Sequence, residues 1–353
     1  WQTLQERCRQ RLRGALSALR ELFYRTDRRR GLLGALFPCF LPMTMALKKS
    51  VRFALQLLFS AAVLFWLSHS LGAADIAAAF GKISWPALAV GLGLYLVAQV
   101  LSAWRWWSFA SILGFKASFA ATLSQYFLGM FYNIFLPTGY GGDVVRVLAL
   151  SPLRKRPSKS LALLSVFLDR LMGLLALLFL GALCSLMLGV KAGIWGWVMG
   201  LALGLGIGGF VAGLMFVSRF KKLSRKIRLV ALLMRSRAPE FFRQGLLSFV
   251  VQALNILIYA HIFWQLGASL SFAAVGFGYG LVTIATLLPV SVGGLGVRES
   301  GWAGFLATLG ASGELGVAAG LVYFLIQTLC SLLGLYPFLR ARAKTSQESQ
   351  SAA

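Results

Sequence analysis

The sequence predicts an all-α polytopic membrane protein of about six full spans plus two re-entrant broken-helix hairpins, eight hydrophobic segments in an inverted repeat. Three observations predict it. The chain is 58% hydrophobic and 13% charged, against about 25% charged in a soluble domain. Its Lys and Arg collect in alternate loops. A motif containing both Pro and Arg recurs inside two apolar segments.

The apolar runs come first. Thr44 to Leu71, Trp85 to Leu101 and Ser160 to Leu188 contain stretches near or beyond the roughly 18 residues that mark a spanning helix. The net charge of +25 raises the question of a nucleic-acid binder, and the placement of the charge excludes that class. Thirty of the 35 Lys and Arg lie in 1–52, at Arg105 and Lys116, and in 154–159, 219–243 and 340–344. Those segments flank apolar runs on one side, as cytoplasmic loops do. Only Lys82 and Lys191 occupy the alternate loops, and Arg146, Arg170 and Arg298 lie within apolar segments. No basic, aromatic-interleaved soluble module is present. Both termini are therefore expected in the cytoplasm. Cys8, Cys39, Cys184 and Cys330 show no CxxC spacing and no pairing with His, so neither a metal nor any other cofactor is implied.

Residues 1–44 read as a basic cytoplasmic or membrane-surface extension, with a native start at Met45 as the second reading. The membrane domain covers 45–340, and 341–353 is a polar cytoplasmic tail. Val51–Ser70 crosses outward, a short amphipathic connection covers 72–83, and Trp85–Phe109 returns. Its inner end, Trp104-Arg-Trp-Trp107, reads as an aromatic interface anchor with a snorkelling Arg105. Ser118–Leu150 is interrupted at Leu136-Pro-Thr-Gly-Tyr-Gly-Gly142, and basic residues follow it. Both its ends thus lie on the cytoplasmic side, which makes it a re-entrant hairpin. Ser160–Leu188 crosses outward. Ile194–Ser218 crosses back and carries a small-residue stripe at Gly200, Gly204 and Gly208. A basic segment covers 219–243, and Gly245–Leu266 goes outward. The second broken segment, 272–310, is interrupted at Leu288-Pro-Val-Ser-Val-Gly-Gly294, and Gly316–Leu339 returns.

The two breaks align. Leu136-Pro137-xxx-Gly141-Gly142-xxx-Arg146 matches Leu288-Pro289-xxx-Gly293-Gly294-xxx-Arg298 at every fixed position. Pro ends the incoming half-helix, because it lacks an N–H and restrains the residue before it. The Gly pair permits a tight turn, and the next half-helix starts with its positive dipole end at the break. Arg146 and Arg298, about one turn further on, add fork-shaped donors. These parts suit an anion. The bland alternative is a pair of helix kinks whose arginines pair with Asp143, Asp169 and Glu299, since three intramembrane acids balance Arg146, Arg170 and Arg298. Asp169 and Arg170 are neighbours on one helix, about 100° apart, and are expected to serve different partners. His261 reads as a packed residue, and Gly293-Gly294-Leu-Gly296 is no dinucleotide fingerprint, since no strand precedes it.

At these residues the chain resembles the lysylphosphatidylglycerol synthase transmembrane-region family, the flippase-like membrane part of the multiple peptide resistance factors. The matching elements are Trp104-Arg105-Trp106, Phe131-Tyr-Asn133-Ile-Phe-Leu-Pro137, Gly141-Gly142-Asp143-Val-Val-Arg146 and Asp169-Arg170-Leu-Met-Gly173. Leu288-Pro289 through Gly293-Gly294-Leu-Gly-Val-Arg298-Glu299 completes them. The resemblance covers about residues 50–340. It implies a bacterial inner-membrane lipid flippase fold, with no lipid lysylation, because no aminoacyl-transfer domain stands in these 353 residues.

The expected function is translocation of an anionic or phosphate-bearing lipid: a phospholipid, an aminoacylated phospholipid or a polyprenyl-phosphate lipid. The expected substrate-binding residues are Arg146, Arg298, Gly141, Gly142, Gly293, Gly294, Asp143, Asp169, Arg170, Glu299 and Asn133. Membrane lipids are the expected partners, with a homo-oligomer or a lipid-modifying enzyme as further candidates. Two rivals are a carrier of small organic anions and a membrane enzyme, or partner subunit, in lipid-linked glycosyl or aminoacyl transfer. An enzyme needs adjacent acids on a metal or a nucleophile beside a base. The three intramembrane acids offer neither, so no enzymatic activity is expected.

Overall fold

The computed structural model describes residues 42–135, 141–154, 157–189, 194, 201, 236–288, 291 and 293–339. The chain divides into two units. Residues 1–49 with 206–243 form one, of which the first turns of two helices are described. Residues 50–205 with 244–353 form the other, which holds the fold and the site. Among the described residues there is no strand.

Helix α1, Pro42–Leu71, ends at Gly72, whose φ of 84° is a left-handed value that suits glycine. Helix α2, Ala73–Gly81, leaves at 93° to it and supplies the short connection expected there. Helix α3, Trp85–Ile112, is started by Ser84, whose hydroxyl accepts the Ala87 N–H, and by Pro86 in the first turn. Helices α4, Phe119–Phe135, and α5, Gly141–Leu150, flank the first break. A 3₁₀ turn, Ser151–Leu153, follows, and Ser158 caps α6, Lys159–Leu188, through the Leu161 N–H. Helix α7 is Ala238–Gln265 and α8 is Phe272–Thr286, capped by Ser271. Helices α9, Val297–Thr308, and α10, Gly313–Ser331, complete the order, and α10 continues through the turn Leu332–Gly334 to Leu339.

Among the described residues four helices are long and apolar enough to cross a membrane: Trp85–Ile112, Lys159–Leu188, Ala238–Gln265 and Gly313–Leu339. The bent pair Leu57–Leu71 and Ala73–Gly81 is a fifth candidate. The predicted span Ile194–Ser218 apart from 194 and 201, with its glycine stripe, the basic segment as far as 235, the extension 1–41 and the tail lie outside the described residues, as do 136–140, 289–290 and 292 of the two breaks.

Each broken segment folds back on itself. Gly129 of α4 sits against Gly142 and Arg146 of α5, and the Asn133 amide oxygen accepts the Gly142 N–H at 2.8 Å. Earlier residues of α4 therefore meet later residues of α5, so the pair is antiparallel. Its outer ends also meet, because the Lys116 N–H donates to the Leu153 carbonyl at 2.9 Å. In the second hairpin Gly278 of α8 lies against Trp302 and Phe305 of α9, while Gly301 faces Val282. Crosswise, α8 runs along α6, and α4 touches α10.

The core is aromatic. Tyr259 stacks on Tyr323 with centroids 4.5 Å apart and packs on Trp302 at 4.8 Å. Cys184 and Cys330 are buried free thiols, with Cys184 packed against Gly276. His261 is packed too, its Nε2 within 3.0 Å of the Ala87 carbonyl. Leu58, Phe65, Trp66, Phe167, Leu186 and Trp264 are exposed, an apolar outer surface that lipid would cover.

A Cβ on Gly142 would overlap the Gly129 carbonyl, whereas one on Gly93, in mid-α3, meets nothing within 4 Å. Gly142→Ala is expected to lower unfolding free energy in detergent by about 1–3 kcal/mol, and Gly93→Ala to leave it level or raise it. Equal stability of the two variants would contradict the close approach of α4 and α5. A second test reads the hairpin's direction. In a cysteine-free background, Lys116→Cys and Lys159→Cys should react with an impermeant thiol reagent from the same side, and labelling from opposite sides would refute it.

Candidate functional site

Asp169 of α6 is the centre of the site and is 2% exposed. One carboxylate oxygen accepts Nε of Arg105 at 2.8 Å, and the other accepts Nη2 of Arg146 at 2.9 Å. Arg105 also donates to the Ser248 hydroxyl of α7 at 2.9 Å. Arg146 reaches Asp143 at 3.3 Å, and Asp143 takes two further bonds from Arg170, at 3.0 and 3.2 Å. The result is one alternating run, Arg105–Asp169–Arg146–Asp143–Arg170, joining α3, α5 and α6. It carries three arginines against two aspartates, so it retains one positive charge.

Local sequence builds this run. On α6, Asp169 and Gly173 are one turn apart on a single face, and the absent side chain at Gly173 leaves room for the Arg105 guanidinium, 3.3 Å from where a Cβ would stand. On α3, Arg105 continues the buried stripe Ala98 and Ser102. Gly129 lets the Arg146 stem pass across α4. The Arg146 guanidinium then lies 4.2 Å from the Trp106 ring and 4.8 Å from Tyr126, with the indole held by its bond to Ser165 at 3.1 Å. A charge enclosed this way is satisfied by two carboxylates and two ring faces.

Arg298 of α9 is different. It is 7% exposed, and its bonds go to the Gly293 carbonyl at 3.0 Å and the Gln327 amide oxygen at 3.2 Å. Tyr323 and Phe324 lie 5.3 and 5.7 Å away. Among the described residues no acid pairs with it, and its Nη1 has no hydrogen-bond partner. A cavity of about 540 Å³ joins Arg298 to the ion-pair run, within the size range of small-molecule sites.

The structure brings four of the eleven predicted residues onto that cavity: Asp143, Asp169, Arg170 and Arg298. Arg146 stands behind the wall, where it holds Asp169. Gly141, Gly142 and Asn133 form the apex of the first hairpin, with the Gly142 N–H already taken by Asn133. Gly293 and Gly294 are left-handed, with φ of 60° and 82°, and turn the chain into α9. Glu299 corrects the expected pairing. It is 0% exposed and forms no ion pair with Arg298. As the third residue of α9 it reaches back to accept the Gly296 N–H at 2.6 Å, serving the orphan donors of the helix start. One N–H at each helix start is thus taken from within, and Arg298 Nη1, like Arg146 Nε, keeps a donor with no hydrogen-bond partner. Among the described residues no group of three His, Cys, Asp or Glu could hold a metal ion.

Arg105 is the second correction. The sequence places it at an aromatic interface, yet it is 6% exposed and ion-paired to Asp169. Its stripe with Ala98 and Ser102 was the available signal. The sequence reading also passed over uncharged groups on the cavity wall: Gln99, Gln252, Asn255, Tyr279, Tyr323 and Gln327. Their spacing carried a signal, since 252 and 255 on α7, and 323 and 327 on α10, share helix faces.

Asp169→Asn strands two buried guanidinium groups, so it is expected to lower unfolding free energy by about 3–5 kcal/mol. Arg170→Gln, whose side chain is 54% exposed and whose loss leaves Asp143 paired with Arg146, should cost less than about 1 kcal/mol. Chemical unfolding in detergent measures both, and equal losses would refute Asp169 as the centre.

Residues 53–334 match the family model of the lysylphosphatidylglycerol synthase TM region. No curated protein matches the chain. The chain belongs to the lysylphosphatidylglycerol synthase TM-region family.

Proposed function

We propose that this member of the lysylphosphatidylglycerol synthase TM-region family is a flippase that carries the headgroup of a phosphate-bearing lipid through the cavity between its two hairpins. The observation that carries the reading is Arg298: a buried guanidinium on the cavity with no acid partner and an unused N–H donor. An unpaired buried charge is costly in a membrane interior, and a phosphate would compensate it through two-pronged hydrogen bonding. The same cavity is lined by Arg170 and Asp143, an ion pair that phosphate could part, taking Arg170 while Asp143 keeps Arg146.

The order of elements supports transport. Helix α3, the α4–α5 hairpin and α6 repeat as α7, the α8–α9 hairpin and α10. The cross-contacts are reciprocal, since α8 lies on α6 and α4 on α10. This order supports reading the two halves as an inverted repeat, in which each hairpin would re-enter from its own side with the substrate site between them. The charge asymmetry of the loops supports cytoplasmic termini, and the proposed membrane is a bacterial inner membrane.

The test is purified protein in liposomes with fluorescent phospholipids, read by quenching of the outer leaflet. Wild type should exchange anionic phospholipid between leaflets. Arg298→Gln should abolish exchange while the protein stays folded, and Arg298→Lys should restore part of it, because a point charge lacks the planar fork. Full exchange in Arg298→Gln would remove the anion site. Uptake of a soluble organic anion with no movement of any phosphate lipid would replace the flippase with a solute carrier.

A further inference from the structure

Resting on that reading, we infer that Glu299 is a proton-binding site coupled to the anion site at Arg298, so that a phosphate group is bound there together with a proton. Glu299 stands apart from the other acids of the two hairpins and α6. Asp143 and Asp169 each take two arginines. Glu299 is 0% exposed and has no ion pair among the described residues. Its Oε2 accepts the Gly296 N–H at 2.6 Å, and its Oε1 has no hydrogen-bond partner. A carboxylate closed off from water, with one bond and no counter-ion in contact, has a proton as its remaining means of neutralisation.

The surroundings place that proton. Arg298 directly precedes Glu299, and both face α10. Arg298 donates to Gln327 and lies over Tyr323, while Gly320, one turn before Tyr323, lies against Glu299. A Cβ on Gly320 would stand 3.0 Å from the Glu299 Cγ and 3.2 Å from Oε1, so the missing side chain admits the carboxyl. The neighbouring elements bring neutral groups here. Helix α1 sets Ser60 and Val63 near Gly296, α8 sets Thr286 against Gly294 and Val282 against Gly301, and α7 sets Tyr259 on Trp302. The cavity tyrosines have spent their protons on amide oxygens: Tyr126 on Gln99 at 3.2 Å, Tyr279 on Gln252 at 2.9 Å and Tyr323 on Asn255 at 2.8 Å. The proton therefore comes from water in the cavity, which reaches Arg298 and Tyr323. It settles on Oε1, and Oε2 stays on Gly296.

Charge supplies the coupling. Opposite charges on consecutive residues attract across a low dielectric, so Arg298 and Glu299 balance each other before an anion arrives. A phosphate on the guanidinium ends that balance and sets a second negative charge near the carboxylate. A proton on Glu299 removes the repulsion. The effect is mutual by linkage: the anion draws in a proton, and acid tightens the anion.

The experiment titrates short-chain phosphatidylglycerol into the purified full chain in detergent by calorimetry, in paired buffers of different ionisation heat, from about pH 5 to about pH 8. A phosphodiester lacks the second ionisation, near about pH 6, of a phosphate monoester, so the lipid itself exchanges no proton. A coupling of about tenfold gives an affinity about tenfold tighter at the acid end, and an uptake that peaks at about half a proton per bound lipid. Glu299→Gln, which has the shape and neutrality of the protonated acid, is expected to bind at the tight level throughout and take up none. Glu299→Asp is expected to keep an uptake, with its peak at another pH. Wild-type affinity flat across the series, with no uptake, would overturn the inference and leave the anion site standing. Uptake persisting in Glu299→Gln, or loss of binding by that variant while it stays folded, would overturn the assignment to Glu299. No binding of the lipid by wild type would overturn the anion site and the coupling together. Coupled binding without exchange between liposome leaflets would keep this inference and remove the flippase.

Discussion

A carboxylate buried in a membrane protein must be paired, and Asp169 is paired twice. Its two oxygens take one arginine from α3 and one from α5, while Arg105 in turn reaches Ser248 on α7. One residue thus fixes four helices at a common depth. The constraint runs both ways: either arginine without Asp169 would be an uncompensated charge in low dielectric, where removing one partner is far worse than never burying the pair. The glycines follow from it. Gly173 and Gly129 stand where the two guanidinium stems pass, and any side chain at either would push an arginine away from its acid.

The same accounting governs the backbone of the hairpins. A half-helix that starts inside the protein leaves N–H groups without partners, and within a membrane no water is at hand to satisfy them. The first hairpin meets this with Asn133, which reaches across from α4 to Gly142. The second uses Glu299, which bends back on its own helix to Gly296. Two unrelated side chains answer one demand, each taking one N–H at a helix start. On the cavity wall the arginine without an acid partner among the described residues is Arg298.

The sequence exposes the membrane class, the helix order and both breaks, because length, hydropathy and Pro-Gly punctuation act locally. The repeated Pro-Gly-Gly-Arg motif also brought out Arg146 and Arg298, and the intramembrane position of Asp169 and Arg170 marked them as well. Partner choice was less legible. Glu299 follows Arg298 directly and so looked like its counter-ion, but consecutive residues on a helix point about 100° apart, and the nearer demand was the helix cap. Arg105 was hidden by its neighbours Trp104 and Trp107, which suit an interface, although its own face of α3 is the buried one. The tyrosine–amide wall was invisible because its pairs join α3 to α4, α7 to α8 and α7 to α10, contacts that only the folded helices create.

The difference between the two motif copies explains why the arginines do not share a role. In the first copy Asp143 lies three residues before Arg146, within reach on the same helix face, and Asp169 closes the other side. In the second copy Leu295 stands where the acid would be, and among the described residues the guanidinium's hydrogen bonds go to a carbonyl and an amide oxygen. That carbonyl belongs to Gly293, whose left-handed φ of 60° belongs to the turn into α9. Neutral acceptors fix the orientation of Arg298 without cancelling its charge. An arginine placed so is oriented but not neutralised, and an anionic ligand can complete it without first displacing a carboxylate. Arg146, with its charge already matched, has nothing to gain from the same ligand. One copy of the motif has become the lock on the helices, and the other leaves a buried guanidinium on the cavity for the proposed anion.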